Sequence, residues 1–229
     1  MFKFTKYFVY LAYNWNIKIA RHIIVDEVKS EKKYGINTTG ADELNKLKKK
    51  GIDISHATIY MPVSYELVEE AFKQLRLLFP AVDESRGISL NHFVDIGCGK
   101  GRALCVASWF GFRKLTGIDF SEHLCSAARN NLLLTRRKFP SIDFSVINND
   151  AFYFEIPKDA DCIFLFNPFD EIILSGVVGN LDISLHMYPR KIAIVYINPL
   201  HKDQLLKAGF KESFYITKMK YLELSIFTN

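Results

Sequence analysis

Apolar positions along this chain change their period twice, and the changes divide it into regions. From residue 1 to about 28, Phe4, Phe8, Leu11, Trp15 and Ile19 recur at helical spacing, while Lys3, Lys6, Asn14, Lys18 and Arg21 lie largely off that stripe. This predicts an amphipathic helix. A second helical pattern covers residues 64–79, with Leu67, Val68, Ala71, Phe72, Leu75 and Leu78 on one face, Ser64 placed as N-cap and Pro80 as the stop. From His92 onward the pattern becomes one of short apolar runs alternating with helical stretches. Strands are predicted over 93–97, 115–120, 144–148, 162–166 and 192–197, and helices over about 102–111, 121–137, 170–187 and 201–208. That alternation predicts a doubly wound, mostly parallel α/β sheet with right-handed crossovers. The end differs: runs at 214–217 and 221–227, separated by Lys218-Met-Lys, predict a closing antiparallel hairpin.

A chain of 229 residues fits one domain plus an addition, so the expected organisation is an N-terminal helical extension over 1–56 and an α/β domain over 57–229. Composition excludes a disordered chain, since 49% of residues are hydrophobic and 14% aromatic. The formal charge of +5 is mild: it permits nucleic acid or anionic lipid as a partner and equally fits a solvated surface. Cysteines at 98, 105, 125 and 162 match neither a zinc pattern nor a C-x-x-C redox pair. They read as reduced thiols in a cytoplasmic protein, and no metal site is expected. The uncharged stretch 7–17 is too short to span a bilayer. Its aromatic anchors and basic flanks fit a helix lying on a membrane surface, or one packed on the domain or on a second subunit. Residues 31–51 read as a polar, lysine-rich connection containing Tyr34-Gly-Ile-Asn-Thr-Thr-Gly40.

The chemistry concentrates at His92-Phe-Val-Asp-Ile-Gly-Cys-Gly-Lys-Gly-Arg102, where an apolar strand reaching Asp95 turns through Gly97, Gly99 and Gly101 into a helix. Such a turn brings backbone close to a ligand and offers it the free N–H groups of a helix start. The spacing is neither the G-x-x-x-x-G-K-S/T of a P-loop nor the G-x-G-x-x-G of a dinucleotide site. Val94-Asp-Ile-Gly-Cys-Gly-Lys-Gly101 resembles motif I of the class I S-adenosylmethionine (SAM) methyltransferases. The resemblance implies that Asp95 and the three glycines hold the methionine part of SAM, and it implies a seven-stranded sheet ending in an antiparallel hairpin. Cys98 reads as a space-filling side chain, and Lys100 and Arg102 as partners of the cofactor carboxylate or as solvated cations.

The second predicted strand ends Thr116-Gly-Ile-Asp-Phe120, twenty residues after Gly99, at the edge where open parallel sheets bind ligands. A carboxylate there can accept both hydroxyls of an adenosine ribose, of SAM or of a nicotinamide cofactor alike. Asn148-Asn-Asp150-Ala151-Phe-Tyr resembles the family's acidic turn after the third strand. That resemblance gives the adenine amino group to Asp150 and a ring contact to the Ala151 N–H, with Phe120 or Phe152 as a flat apolar neighbour. Asn167, Pro168 and Phe169 resemble motif IV of the amino-group methyltransferases, with Phe where the motif has a second proline. The Asn167 side-chain oxygen can accept an acceptor N–H and aim its lone pair, and Phe169 can stack on a flat acceptor. Tyr60-Met-Pro-Val-Ser64 with its helix resembles the segment that covers the cofactor in seven-strand lysine methyltransferases, and implies a role for Tyr60 at the acceptor. The expectation is a SAM-dependent methyltransferase with a nitrogen acceptor: a protein side chain, a base or a small amine. The alternatives are a SAM-fold scaffold without catalysis and an NAD(P) oxidoreductase.

Overall fold

The computed structural model describes residues 2–40, 60–80, 90–166, 170–218 and 222–229. Asn167, Pro168 and Phe169 lie outside the described residues, as does most of the predicted link between the N-terminal helices and residue 60. The chain begins with α1, Phe2–Asn14, and α2, Ile17–Tyr34. Where the apolar stripe predicts one helix there are two, because the Asn16 side chain accepts the Ile19 N–H at 2.9 Å and starts a new helix. The two helices pack as a hairpin around Tyr7, Leu11 and Ala20. Gly35, in the left-handed region at φ 72, ends α2 by donating its N–H to the Glu31 carbonyl.

α3, Tyr65–Leu78, starts at the expected cap, with the Ser64 hydroxyl accepting from the Leu67 N–H, and it buries Leu67, Val68, Ala71, Phe72 and Leu75. The α/β alternation then runs in order: β1 His92–Ile96, α4 Arg102–Trp109, β2 Lys114–Asp119, α5 Glu122–Arg136, β3 Asp143–Asn148. A single 3-10 turn, Ala151–Tyr153, follows β3. Then come β4 Cys162–Phe166, α6 Glu171–Met187, β5 Ala193–Ile197, α7 Lys202–Lys207, β6 Lys211–Lys218 and β7 Leu222–Thr228.

Among the described residues the strands form one seven-stranded sheet in the order β3-β2-β1-β4-β5-β7-β6. Five strands are parallel, β7 inserts antiparallel beside β5, and β6 pairs antiparallel with β7 at the edge. The predicted doubly wound sheet with its closing hairpin is therefore what the chain forms. Side chains of Phe93, Leu115, Phe164, Val195 and Ile226 pack on α3, α4 and α5 on one face. Val94, Ile96, Ile118, Ile163, Leu165 and Ile194 pack on α6 and α7 on the other. The central strands are apolar on both faces because helices cover both. The strand order reverses between β1 and β4, so the crevice of such a sheet lies beyond the carboxyl end of β1.

Candidate functional site

The glycine turn sits at that crevice. Gly97 and Cys98 both donate their N–H to the Ile118 carbonyl, at 2.9 and 2.8 Å, which binds the turn onto β2. All three glycines have positive φ: 80, 53 and 77 degrees at 97, 99 and 101. Two of them also answer to close packing. A Cβ on Gly99 would lie 2.3 Å from the Tyr60 ring, and one on Gly101 would lie 3.0 Å from the Ala128 Cβ of α5. Any other residue would both strain the backbone and push its neighbour away.

Two buried carboxyl groups flank the turn. Asp95, on β1, receives no hydrogen bond from the described residues; burial first and the nearby Asp119 charge second raise its pKa well above the carboxylate range. Asp119 ends β2 at 6% exposure, its Oδ2 accepting the Gly99 N–H and its Oδ1 the Ser121 N–H, each at 2.9 Å. Burial pushes its pKa up to about 6 against the pull of those two bonds. Ser121 caps α5 through the Leu124 N–H, so Asp119 is not consumed as the helix cap. Each Asp119 oxygen carries one N–H and retains a lone pair for a ligand hydroxyl.

Asp150 follows β3 and is exposed; its Oδ1 accepts the Phe152 N–H at 2.9 Å and starts the short 3-10 turn, in which Ala151 is buried. The Asn148 side chain and the Asn149 N–H both donate to the Asp119 carbonyl, at 3.0 and 3.2 Å, which draws this turn beside the end of β2. Phe120 is half-buried next to Asp119. The Phe152 ring lies against Gly176 of α6, where an added Cβ would come within 2.5 Å of it. The structure thus brings Asp95, Gly97, Gly99, Gly101, Asp119, Phe120, Asp150 and Ala151 to one edge of the sheet. Cys98 is buried, and its thiol is pushed well above its ordinary pKa by burial and by the two acids, so it fills space as expected.

The sequence reading of Arg102 is corrected. It is 2% exposed and reaches neither solvent nor the turn's open side. Its guanidinium forks onto Glu27 of α2 at 2.5 and 2.6 Å, donates to the Thr38 hydroxyl at 2.8 Å and the Val63 carbonyl at 2.6 Å, and stacks on the Tyr65 ring at 3.9 Å. Within residues 35–40, read as part of a polar link, Ile36, Thr38 and Thr39 are buried. Glu31 accepts the Thr38 and Thr39 N–H groups at 2.7 Å and pairs with Lys3. Asn131 of α5 accepts the Asn37 N–H and donates to the Asn37 and Lys100 carbonyls. Tyr60 closes the arrangement: its ring covers Gly99, Lys100 Nζ lies 4.8 Å from the ring centre, and its hydroxyl donates to the Thr38 carbonyl at 2.9 Å. Burial raises the Tyr60 pKa, so it stays a neutral donor. Glu27, Thr38 and Asn131 were not legible as site residues; the one signal was the uncharged Tyr34-to-Gly40 run, with glycines near both ends, inside a lysine-rich stretch.

No protein-family model and no curated protein matches the chain. Solved structures do. The tRNA (uracil-54, C5)-methyltransferase of Pyrococcus abyssi, in complex with S-adenosyl-L-homocysteine, matches 74% of this chain at 14% identity and a TM-score of 0.51. This chain has the class I methyltransferase fold. It covers 39% of the length of the Pyrococcus protein. The N-methyltransferase NodS of Bradyrhizobium japonicum, also with S-adenosyl-L-homocysteine, matches 70% of this chain and 86% of its own at 16% identity and a TM-score of 0.49. Magnesium protoporphyrin IX methyltransferase of Synechocystis PCC 6803, with bound SAM, matches 71% and 77% at 14% identity and 0.47.

Proposed function

We propose that this chain is a SAM-dependent methyltransferase that transfers a methyl group to a nitrogen acceptor. The observation that carries the reading is the Asp119 carboxylate, bonded to the Gly99 N–H at the carboxyl edge of β2 and keeping lone pairs for a vicinal diol. The donor set fits the cofactor. Asp119 takes the ribose hydroxyls, Asp150 and Ala151 the adenine edge, and the turn at 97–101 the methionine part, with Asp95 beside it. An ammonium next to Asp95 favours its ionised form. When bound, SAM supplies an electrophilic methyl group on a sulfonium. The protein's share is positioning, because in-line displacement needs a neutral nucleophile held in line with that carbon.

The acceptor assignment rests on the sequence of Asn167, Pro168 and Phe169, whose side-chain oxygen and ring suit an N–H donor and a flat or cationic group. The Tyr60 ring covers Gly99. The inserted antiparallel β7 departs from the dinucleotide-binding sheet order and counts against the NAD(P) reading. Titration calorimetry tests the cofactor: S-adenosylhomocysteine binds at micromolar affinity and Asp119→Ala weakens it, and absence of binding to folded protein sinks the proposal. Labelled methyl transfer to lysate, split into protein, nucleic acid, lipid and small-molecule fractions, tests catalysis. Label on a nitrogen supports the full reading; cofactor binding without label in any fraction returns the chain to the scaffold reading.

A further inference from the structure

We propose that the tip of the α1–α2 hairpin docks on an anionic lipid surface. This goes beyond the methyltransferase reading and does not rest on it. Where the two helices meet, Tyr13, Trp15 and Ile17 are 90, 51 and 69% exposed, and Val9, one turn before Tyr13 on α1, is 60% exposed, although Tyr7, Leu11 and Ala20 give the hairpin its own core. Four large apolar side chains grouped near one tip are unlike scattered single exposures. Along the chain the charges before Asp26 have one sign, Lys3 being paired with Glu31. No Asp or Glu occurs before Asp26, whereas Lys3, Lys6, Lys18 and Arg21 all do, and Lys18 and Arg21 are exposed in the first turns of α2 beside Ile17.

This chemistry selects the occupant. A second copy of the same tip would set Lys18 and Arg21 against their own like charges, which disfavours self-association through it. Trp and Tyr sit at the level of lipid headgroups, Ile and Val enter the acyl boundary, and Lys and Arg meet anionic headgroups, so the tip presents all three parts of an interfacial anchor. No described helix is long and apolar enough to cross a membrane, so the contact is with a surface. The placement is also consistent. His22 of α2 lies 3.9 Å from Glu66 in the first turn of α3, and Lys218 at the end of β6 reaches the same carboxylate at 2.8 Å. The part of α2 next to the tip therefore stands on the carboxyl-edge side of the sheet, the side of the glycine turn.

Flotation of the full chain with vesicles tests this. Wild type floats with phosphatidylcholine–phosphatidylserine vesicles, and less with pure phosphatidylcholine or at high salt. Lys18→Gln and Arg21→Gln each weaken partitioning about fivefold on the anionic vesicles and little on the neutral ones. Tyr13→Ser, Trp15→Ser and Ile17→Ser together reduce it more than about tenfold while the thermal melt stays unchanged, because these side chains leave water only on docking. Trp15 emission shifts to the blue with anionic vesicles, and Trp15→Phe removes the shift while leaving the signal of the half-buried Trp109. Failure of wild type to float with anionic vesicles overturns the proposal. So does flotation that all five substitutions leave unchanged, or a wild-type dimer that the Ser variants dissociate.

Discussion

Asp119 makes the cofactor proposal testable by pH alone. Its pKa of about 6, raised by burial, leaves it a carboxylate at neutral pH and protonates it as the pH falls through that value. Ribose hydroxyls donate to the ionised form, and a protonated carboxyl loses much of that acceptor capacity. A ligand that binds only the ionised form pulls the pKa down on binding, so affinity is flat above the free pKa and falls below it. For a free value near 6 the loss is roughly tenfold between about pH 7 and pH 5. The assay is calorimetric titration with S-adenosylhomocysteine, whose own groups do not titrate in that interval. Asp119→Asn supplies the control: it lowers affinity at neutral pH and flattens the profile, because the titrating group is gone. A wild-type affinity constant from pH 7 to 5, or an Asn variant that keeps the slope, refutes the assignment of the diol to Asp119.

Removing Glu27 leaves the Arg102 guanidinium buried and unpaired, so Glu27→Ala costs about 3–5 kcal/mol and lowers the melting temperature by on the order of 10 °C. Adding Arg102→Leu removes the orphan charge and recovers part of that loss in the same thermal melt. Gly99→Ala meets the Tyr60 ring and keeps a positive φ, so it abolishes S-adenosylhomocysteine binding; adding Tyr60→Ala relieves the clash and leaves only the backbone strain of about 1–2 kcal/mol. His92 is held by Asp159 and Thr116, and burial lowers its pKa below the ordinary value, so the unfolded chain takes up the proton first. Its contribution to stability is intact above the unfolded pKa and is lost as pH falls from about 6.5 toward the lowered value. His92→Gln reduces that acid-side loss in denaturant melts at stepped pH.

The sheet was legible because each strand carries its own signal. Cys162–Phe166 is a continuous apolar run, and the predicted bounds coincide with the observed ones. The grouping of the candidate site residues was legible for a related reason: Asp95, the three glycines and Asp119 all sit at strand ends, where topology alone brings them together. Arg102 defeated the reading because its environment is set by Glu27, 75 residues earlier, and by Thr38 and Val63, none of which shares its local pattern. One amphipathic helix became two because a periodic apolar stripe continues across Asn16, and only the cap geometry reveals the break.

The same separation of 75 residues between Glu27 and Arg102 has a consequence for how the chain is made. A ribosome releases this helical hairpin well before Arg102, with Glu27 still unpaired and with a small core of its own around Tyr7, Leu11 and Ala20. Its partners α3 and the turn ending in Arg102 come later. The hairpin must therefore wait, partly formed and with its apolar tip in water, until the first half of the sheet has been synthesised. A chaperone that captures this nascent chain would find a target in residues 9–17 before the glycine turn has been synthesised.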